Sequence, residues 1–295
     1  MKLKLLLATV LATSMVSFAT EKCPVKDLDS VKKKAEEKFF EGKVKIKSIS
    51  PAPVNGLYQI TVEFGDMADI LYTDCDLKYV IQGRILDPVK RVDLTMEERT
   101  KLMKEVFAKK EGELTKVLGK DKVEKLKKEG LIQMISVINT TNLPKANISY
   151  GNGDKVVYVF TDPECPFCAN LHKEIEKLLS KRKDVKFEMV LLPLPMHKHA
   201  EGIAENILCQ NDNKARLDII SKSFESVLKG DEKGLSGLEK SCPSGKEVID
   251  KNTEFAMKVG INGTPTIVFP NKGLKIVGII PSEKLDTLID IVYGK

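Results

Sequence analysis

Thr161-Asp162-Pro163-Glu164-Cys165-Pro166-Phe167-Cys168 is the stretch on which the fold of this chain turns. Immediately before it, Val156-Val157-Tyr158-Val159-Phe160 is apolar without alternation, the pattern of a strand buried on both faces, as in a parallel sheet. Immediately after it, Phe167, Leu171, Ile175, Leu178 and Leu179 recur at helical spacing. The two cysteines therefore stand where a central strand becomes a helix, with Cys165 at or near the helix N-terminus. The unpaired backbone N–H groups of that terminus favour a thiolate over a thiol. Pro166 suits the first helical turn, where its missing N–H costs nothing. A nucleophilic thiol with a second thiol one turn away is the arrangement that thiol–disulfide exchange requires. Half of a zinc site or a purely structural bridge would use the same residues, but the strand–CxxC–helix setting favours exchange.

Upstream, the chain opens as a secretory leader. Lys2 and Lys4 are its positive region, Leu5 to Val16 its apolar region, and Ser17-Phe18-Ala19 its small-residue cleavage site, so residues 1–19 are set apart from the fold. No later stretch is long and apolar enough to span a membrane, and a soluble exported protein is expected. The formal net charge of +6 is spread over many Lys–Glu neighbours, which indicates solvated helix faces and no nucleic-acid surface. All six cysteines (23, 75, 165, 168, 209 and 242) follow the leader, and an oxidising compartment permits disulfides among them. Their connectivity is not readable from spacing.

Residues 20–92 read as a small α+β domain. Val25, Leu28, Val31, Ala35 and Phe39 stripe a lysine-rich helix that stops at Gly42, and Tyr58, Ile60, Val62 and Phe64 alternate as a half-buried strand. Met67 to Tyr72 and Lys78 to Leu86 read as further strands around the turn Asp74-Cys75-Asp76. Cys23 and Cys75 are candidates to pair with each other, the alternatives being an intermolecular bridge or free thiols. Gly83 interrupts the last strand, and glycine within a strand marks a bulge or the approach of another backbone. A sheet this small leaves edges that a partner strand would cover. Residues 93–146 read as a charged, mostly helical linker opened by a capping box at Thr95-Met96-Glu97-Glu98 and interrupted at Gly112, Gly119 and Gly130.

Residues 147–295 carry the chemistry. Val185 to Leu192 is a second core strand, and His197 and His199 follow in a loop where solvated histidines are expected and a Cys2His2 zinc site is not. His172, one turn past Cys168, reads as a surface helical residue. Cys209 and Cys242 bracket a polar helical insertion, and neither has a CxxC neighbour, which favours a structural role. Gly263-Thr264-Pro265-Thr266 then precedes the strand Ile267-Val268-Phe269. Proline at the head of a core strand is unusual, and a cis Thr264–Pro265 bond would turn the backbone edge toward the cysteines and a substrate chain; a trans proline in a loop is the plain alternative. Asn271-Lys272-Gly273 makes a hairpin, and Ser282 is the expected cap of a last helix bearing Leu285, Leu288, Ile289 and Val292.

This order resembles a thioredoxin fold with a helical insertion, an α/β catalytic domain preceded by a small α+β domain and a linker. The resemblance goes further. Phe160-Thr161-Asp162 before Cys-Pro-Phe-Cys, the Cys209-Gln210-Asn211-Asp212-Asn213-Lys214 stretch, Cys242, Gly263-Thr264-Pro265, Pro51-Ala52-Pro53-Val54-Asn55-Gly56 and Val80-Ile81-Gln82-Gly83 are similar to the DsbC/DsbG family of periplasmic disulfide isomerases. The resemblance implies a homodimer joined through residues 20–92, with Gly83 near the contact. It implies that Cys165 attacks and Cys168 resolves, that Thr264 and Pro265 lie against the redox pair and bind substrate, and that Cys209–Cys242 is structural. It implies misfolded exported proteins with non-native disulfides as substrates and a membrane thiol reductase of the DsbD type as electron donor; no cofactor or metal is expected. Pro166-Phe167 is closer to the Cys-Pro-Tyr-Cys of DsbG than to the Cys-Gly-Tyr-Cys of DsbC, and Cys23 and Cys75 have no counterpart in that pattern. Reduction of sulfenylated cysteines and chaperone-like holding of unfolded chains stand as alternatives to isomerisation.

Overall fold

The computed structural model describes residues 22–42, 44–64 and 67–294, so the expected leader 1–19 lies outside the described residues. The chain divides into two compact units, Met1–Ala108 and Lys109–Lys295.

In the first unit, helix α1 (Leu28–Phe40) is followed by strands β1 (Ile46–Pro51), β2 (Leu57–Phe64), β3 (Met67–Asp74) and β4 (Val80–Ile81), which form an antiparallel sheet in that order. The period-two pattern of β2 sends Tyr58, Ile60 and Val62 to one face, where they pack with Ile46, Ile49, Ala35 of α1 and Cys23. Ile70 and Tyr72 pack on Ala52 and on Leu102 of helix α2 (Leu94–Leu118). Between β4 and α2, β5 (Leu86–Asp87) pairs with β6 (Val92–Asp93). Cys23 and Cys75 are joined by a disulfide that ties the segment before α1 to the β3–β4 turn. In that turn Asp74 Oδ1 accepts hydrogen bonds from the N–H groups of Lys78 and Tyr79, both at 2.8 Å.

Two local readings need correction here. The expected strand Lys78 to Leu86 is not continuous: only Val80 and Ile81 pair with β3. The chain then turns away because Ile85 is held at the start of α2, its N–H donating to Thr95 Oγ1 (2.8 Å) and its carbonyl accepting from Leu94 (2.9 Å). Gly83 consequently lies in a bend outside any strand, with open space where a side chain would point. Thr95 is also not the cap of α2. Its hydroxyl is bonded to Tyr72 (2.6 Å), and Asp93 Oδ1 accepts from Met96 N–H instead.

The second unit contains helix α3 (Lys120–Lys128), a 3₁₀ turn at Ile132–Met134, and strands β7 (Ile135–Val137) and β8 (Ile148–Tyr150). Strand β9 (Lys155–Thr161), helix α4 (Pro166–Lys181), strand β10 (Val185–Leu191), helices α5 (Ala200–Leu208), α6 (Asn213–Lys229), α7 (Glu232–Ser236) and α8 (Pro243–Lys258), strands β11 (Thr266–Phe269) and β12 (Leu274–Val277) and helix α9 (Ser282–Tyr293) follow. The six-stranded sheet has the order β7-β12-β11-β9-β10-β8; β9 and β10 are parallel and the other pairs antiparallel. Val157, Val159 and Phe160 of β9 are fully buried, whereas Val156 and Tyr158 are only half-buried, so the expected burial on both faces is reached only at the Val159–Thr161 end of the strand.

The expected boundary between linker and catalytic domain at 146/147 does not match this packing. Ile135 to Val137 pairs with β12 as an edge strand, and Lys122 Nζ of α3 donates to the carbonyl of Val292 in α9 at 2.9 Å. The β-branched residues Ile135, Val137 and Ile138 suit a strand better than the mostly helical linker expected over residues 93–146. Of the three glycines expected to interrupt the helices, Gly119 (φ +84°) and Gly130 (φ +66°) take backbone conformations that end a helix, whereas Gly112 lies within α2. Ser282 does not cap α9 through its side chain; its N–H is taken by Glu174 Oε2 of α4 at 2.9 Å.

Candidate active site

Strand β9 delivers Thr161 to the edge of the core, and Asp162-Pro163-Glu164 turns the chain into α4. Cys165 is the N-cap residue of α4 and Pro166 its first residue, so the open N–H groups of the first turn surround the sulfur. Cys165 and Cys168 are both free thiols, with 3% and 2% of their surface exposed. Access therefore does not separate the two sulfurs; electrostatics does. The Cys165 thiol is lowered to about 6 by the hydrogen bond from the Cys168 thiol and, against the cost of burial, by the backbone N–H groups of Cys168 and Phe167. Burial pushes the Cys168 thiol well above its ordinary value, and the neighbouring Cys165 charge pushes it the same way. At neutral pH this leaves one thiolate and one protonated thiol that stabilises it.

The Thr264–Pro265 bond is cis, and the Thr264 carbonyl lies 3.6 Å from Cys165 Sγ. Residues 99 positions apart in sequence thus meet at the reactive sulfur. The carbonyl of Pro265 accepts the N–H of Gly278 at 2.8 Å, which ties this segment to the end of β12. Phe167 and Met196 present apolar side chains to solvent, 62% and 77% exposed. Cys209 and Cys242 are disulfide-bonded to each other, joining the end of α5 to the N-cap of α8, and take no part in this cluster. Cys23, Cys75 and Gly83 belong to the first unit.

Three histidines lie where the sequence reading did not put them. His172 is buried, not on the surface: its ring stacks on Tyr150 and meets Phe224, both at 5.2 Å between centroids, and burial lowers its pKa. His197 is not a solvated loop residue, since its Nδ1 is 2.8 Å from Asp162 Oδ2. His199 is buried, its Nδ1 on Glu239 and its Nε2 on Glu232 (3.0 Å), and its backbone N–H donates to Glu164 Oε2 at 2.5 Å. Asp162 and Glu164 were quoted only as part of the motif, yet both fasten the histidine loop to the redox turn. One signal in the sequence could have found Asp162. A carboxylate at the end of a fully buried strand must have partners, because burying it alone is prohibitive.

A family model described as a thioredoxin-like domain matches residues 145–292, and one described as the disulfide bond isomerase protein N-terminal domain matches residues 23–96. The probable thiol:disulfide interchange protein DsbC of Bordetella avium is 23% identical over 257 residues, which cover 87% of this chain and 73% of that protein. The thiol:disulfide interchange protein DsbC of Escherichia coli K12 is 23% identical over 251 residues, 84% of this chain and 82% of that protein. Among solved structures, the catalytic domain of Proteus mirabilis ScsC is 22% identical, with a TM-score of 0.42, over 53% of this chain and 93% of that one. Since the thioredoxin-like model spans half of the chain and contains the Cys165–Cys168 pair, the chain belongs to the thioredoxin-like family, and at residues 23–96 it carries the N-terminal domain of disulfide bond isomerase proteins, the arrangement it shares in sequence with the DsbC thiol:disulfide interchange proteins.

Proposed function

We propose that this thiol–disulfide oxidoreductase is a periplasmic disulfide isomerase and reductase that acts, as a homodimer joined through residues 20–92, on exported proteins with non-native disulfides. The observation that carries the reading is the split between the two thiols: Cys165 lowered to about 6 at the mouth of α4, and Cys168 raised behind it. A thiol that is ionised at neutral pH attacks; one that stays protonated waits.

In the proposed cycle the Cys165 thiolate attacks one sulfur of a substrate disulfide. The Cys165–substrate bond forms as the substrate S–S bond breaks, and the departing sulfur leaves as a thiolate that takes up a proton. If a substrate thiolate then attacks the mixed disulfide, Cys165 is regenerated and the substrate has been rearranged with no net electron transfer. If Cys168 instead loses its proton and attacks Cys165, the substrate leaves reduced by two electrons and the Cys165–Cys168 disulfide remains. Continued isomerisation therefore needs a dithiol donor, for which a membrane reductase of the DsbD type is proposed. The exposed side chains of Phe167 and Met196 and the backbone at Thr264–Pro265 supply an apolar rim and a main-chain edge for an unfolded substrate.

Recovery of activity by a scrambled-disulfide substrate tests this. The wild type should restore it, Cys165→Ser should not, and Cys168→Ser should retain rearrangement while accumulating mixed disulfides. A Cys165→Ser protein as effective as the wild type would leave chaperone-like holding as the activity.

A further inference from the structure

Asp162 is the most connected residue of the redox turn. Its side chain is fully buried. Its backbone N–H donates to Cys168 Sγ at 3.4 Å, and its carbonyl accepts the N–H of Cys165 at 3.2 Å. Its Oδ1 accepts from Glu164 N–H at 2.8 Å, and its Oδ2 accepts from Leu194 N–H at 2.7 Å and meets His197 Nδ1 at 2.8 Å. Burial raises the Asp162 pKa above the ordinary carboxylate value, and the hydrogen bonds from His197, Leu194 and Glu164 oppose that rise; three donors converging on two oxygens suit the ionised form, and the same geometry makes His197 Nδ1 a donor, leaving its other ring nitrogen to titrate. One side chain thus pins the loop carrying His197 to the turn that carries both reactive sulfurs.

We propose that Asp162 and His197 are a positioning pair for Cys165, in which the buried carboxylate holds an imidazolium in the field of the Cys165 thiolate. The proposal rests on the assignment of Cys165 as the attacking thiol. Around His197, the β9–α4 turn brings Asp162, Glu164 and Cys165, and its own loop brings Lys198 and His199. Burial disfavours the charged ring, but the hydrogen bond to Asp162 and the charges of Asp162, Cys165 and Glu164 outweigh it and raise the His197 pKa. Below that raised value and above about 6, imidazolium and thiolate coexist. When a substrate disulfide oxidises the pair to Cys165–Cys168, the thiolate charge is gone and His197 keeps Asp162 but loses the contribution of Cys165. By reciprocity the two groups must shift each other's titration equally.

The test is the pH profile of thiolate absorbance and iodoacetamide alkylation of Cys165 in the reduced full chain. His197→Gln keeps a hydrogen-bond donor for Asp162 but removes the charge. It should raise the Cys165 midpoint by about one pH unit, making the thiolate about tenfold scarcer below it. His197→Arg should return the midpoint to the wild-type value. A role confined to holding the loop would leave the Gln midpoint where it was, and that result overturns the proposal, as does failure of Arg to restore it. The chain has three histidines, so their NMR titrations are separable in the unmutated protein. The His197 midpoint should fall by about one unit on oxidation of the pair, matching the Cys165 shift; equal midpoints in the two redox states also overturn the proposal. Alkylation that falls first on Cys168 would instead overturn the assignment of the attacking thiol, a separate result.

Discussion

At the scale of single residues, the two cysteines show how little surface exposure explains. Both are almost wholly covered, yet one is lowered to about 6 and the other raised, because the Cys168 thiol and the helix N-terminus outweigh burial at Cys165 while burial dominates at Cys168. Alkylation of the reduced protein at mildly acidic pH should therefore modify Cys165 first. The sign follows from the lowered value: the thiolate dominates above about 6 and is lost as pH falls through it, so the rate should drop steeply below that point. Mass analysis showing Cys168 modified first would reverse the assignment. His172, by contrast, occupies a position that helical spacing could not place. An amphipathic reading ranks a histidine as polar and assigns it to solvent, but Tyr150 of β8 and Phe224 of α6 close over it, and both come from elements distant in sequence.

Among the elements, the insertion α5–α8 is tied down by two different devices. The Cys209–Cys242 bridge joins α5 to α8, and Cys242 N–H also donates to Glu205 Oε2 at 2.5 Å. Since this bridge is separate from the Cys165 cluster, Cys209→Ala/Cys242→Ala should lose on the order of 2–5 kcal/mol of stability while keeping thiol reduction of a small disulfide. An unchanged melting temperature would remove its structural role. The second device is His199, held by Glu239 and Glu232 near the start of α5. The hydrogen bond to Glu239 raises its pKa above the ordinary 6.5, against burial, with Glu232 adding to the rise. A group raised on folding contributes its stability below its unfolded value and loses it as pH rises through the folded value. The stability gap between wild type and His199→Gln should therefore be widest from the upper end of the carboxylate range to pH 6.5 and narrow above the raised value. Denaturation series at three pH values would check this; a gap that widens with pH would contradict it.

At the scale of the whole molecule, the first unit ends its sheet in a strand of two residues, with Tyr79, Val80 and Ile81 exposed beside the bend at Gly83. A short apolar edge of this kind is the surface through which the proposed homodimer would form. Gly83 has open space where a side chain would project, so Gly83→Arg should fold normally. It should give monomers by light scattering, with small-disulfide reduction retained and isomerisation of a scrambled substrate reduced. A Gly83→Arg protein that stays dimeric with native circular dichroism would place the interface elsewhere.

What the sequence by itself determined is whatever rests on local pattern. The run Val156–Phe160, the helical spacing after it and the Cys-Pro-Phe-Cys between them carry strand, turn, helix and thiol chemistry within about two dozen residues, because backbone periodicity and helix-end electrostatics act over one or two turns. A small N-terminal α+β unit was legible in periods that switch between two and 3.6 residues, and the thioredoxin-like character of the second unit came from the resemblance of its motif order. Only the tertiary structure decided that Ile135–Val137 closes the sheet as an edge strand, since three residues are too few to show a period. It also decided that Val80–Ile81 stops where Thr95 captures Ile85. The sharpest case is the site itself. Asp162 finds His197 35 residues away, and Glu164 finds the backbone of His199 at the same separation. Buried polar groups must be partnered, so the sequence dictates that partners exist; which residues they are depends on how the sheet and its insertion bring separate loops together.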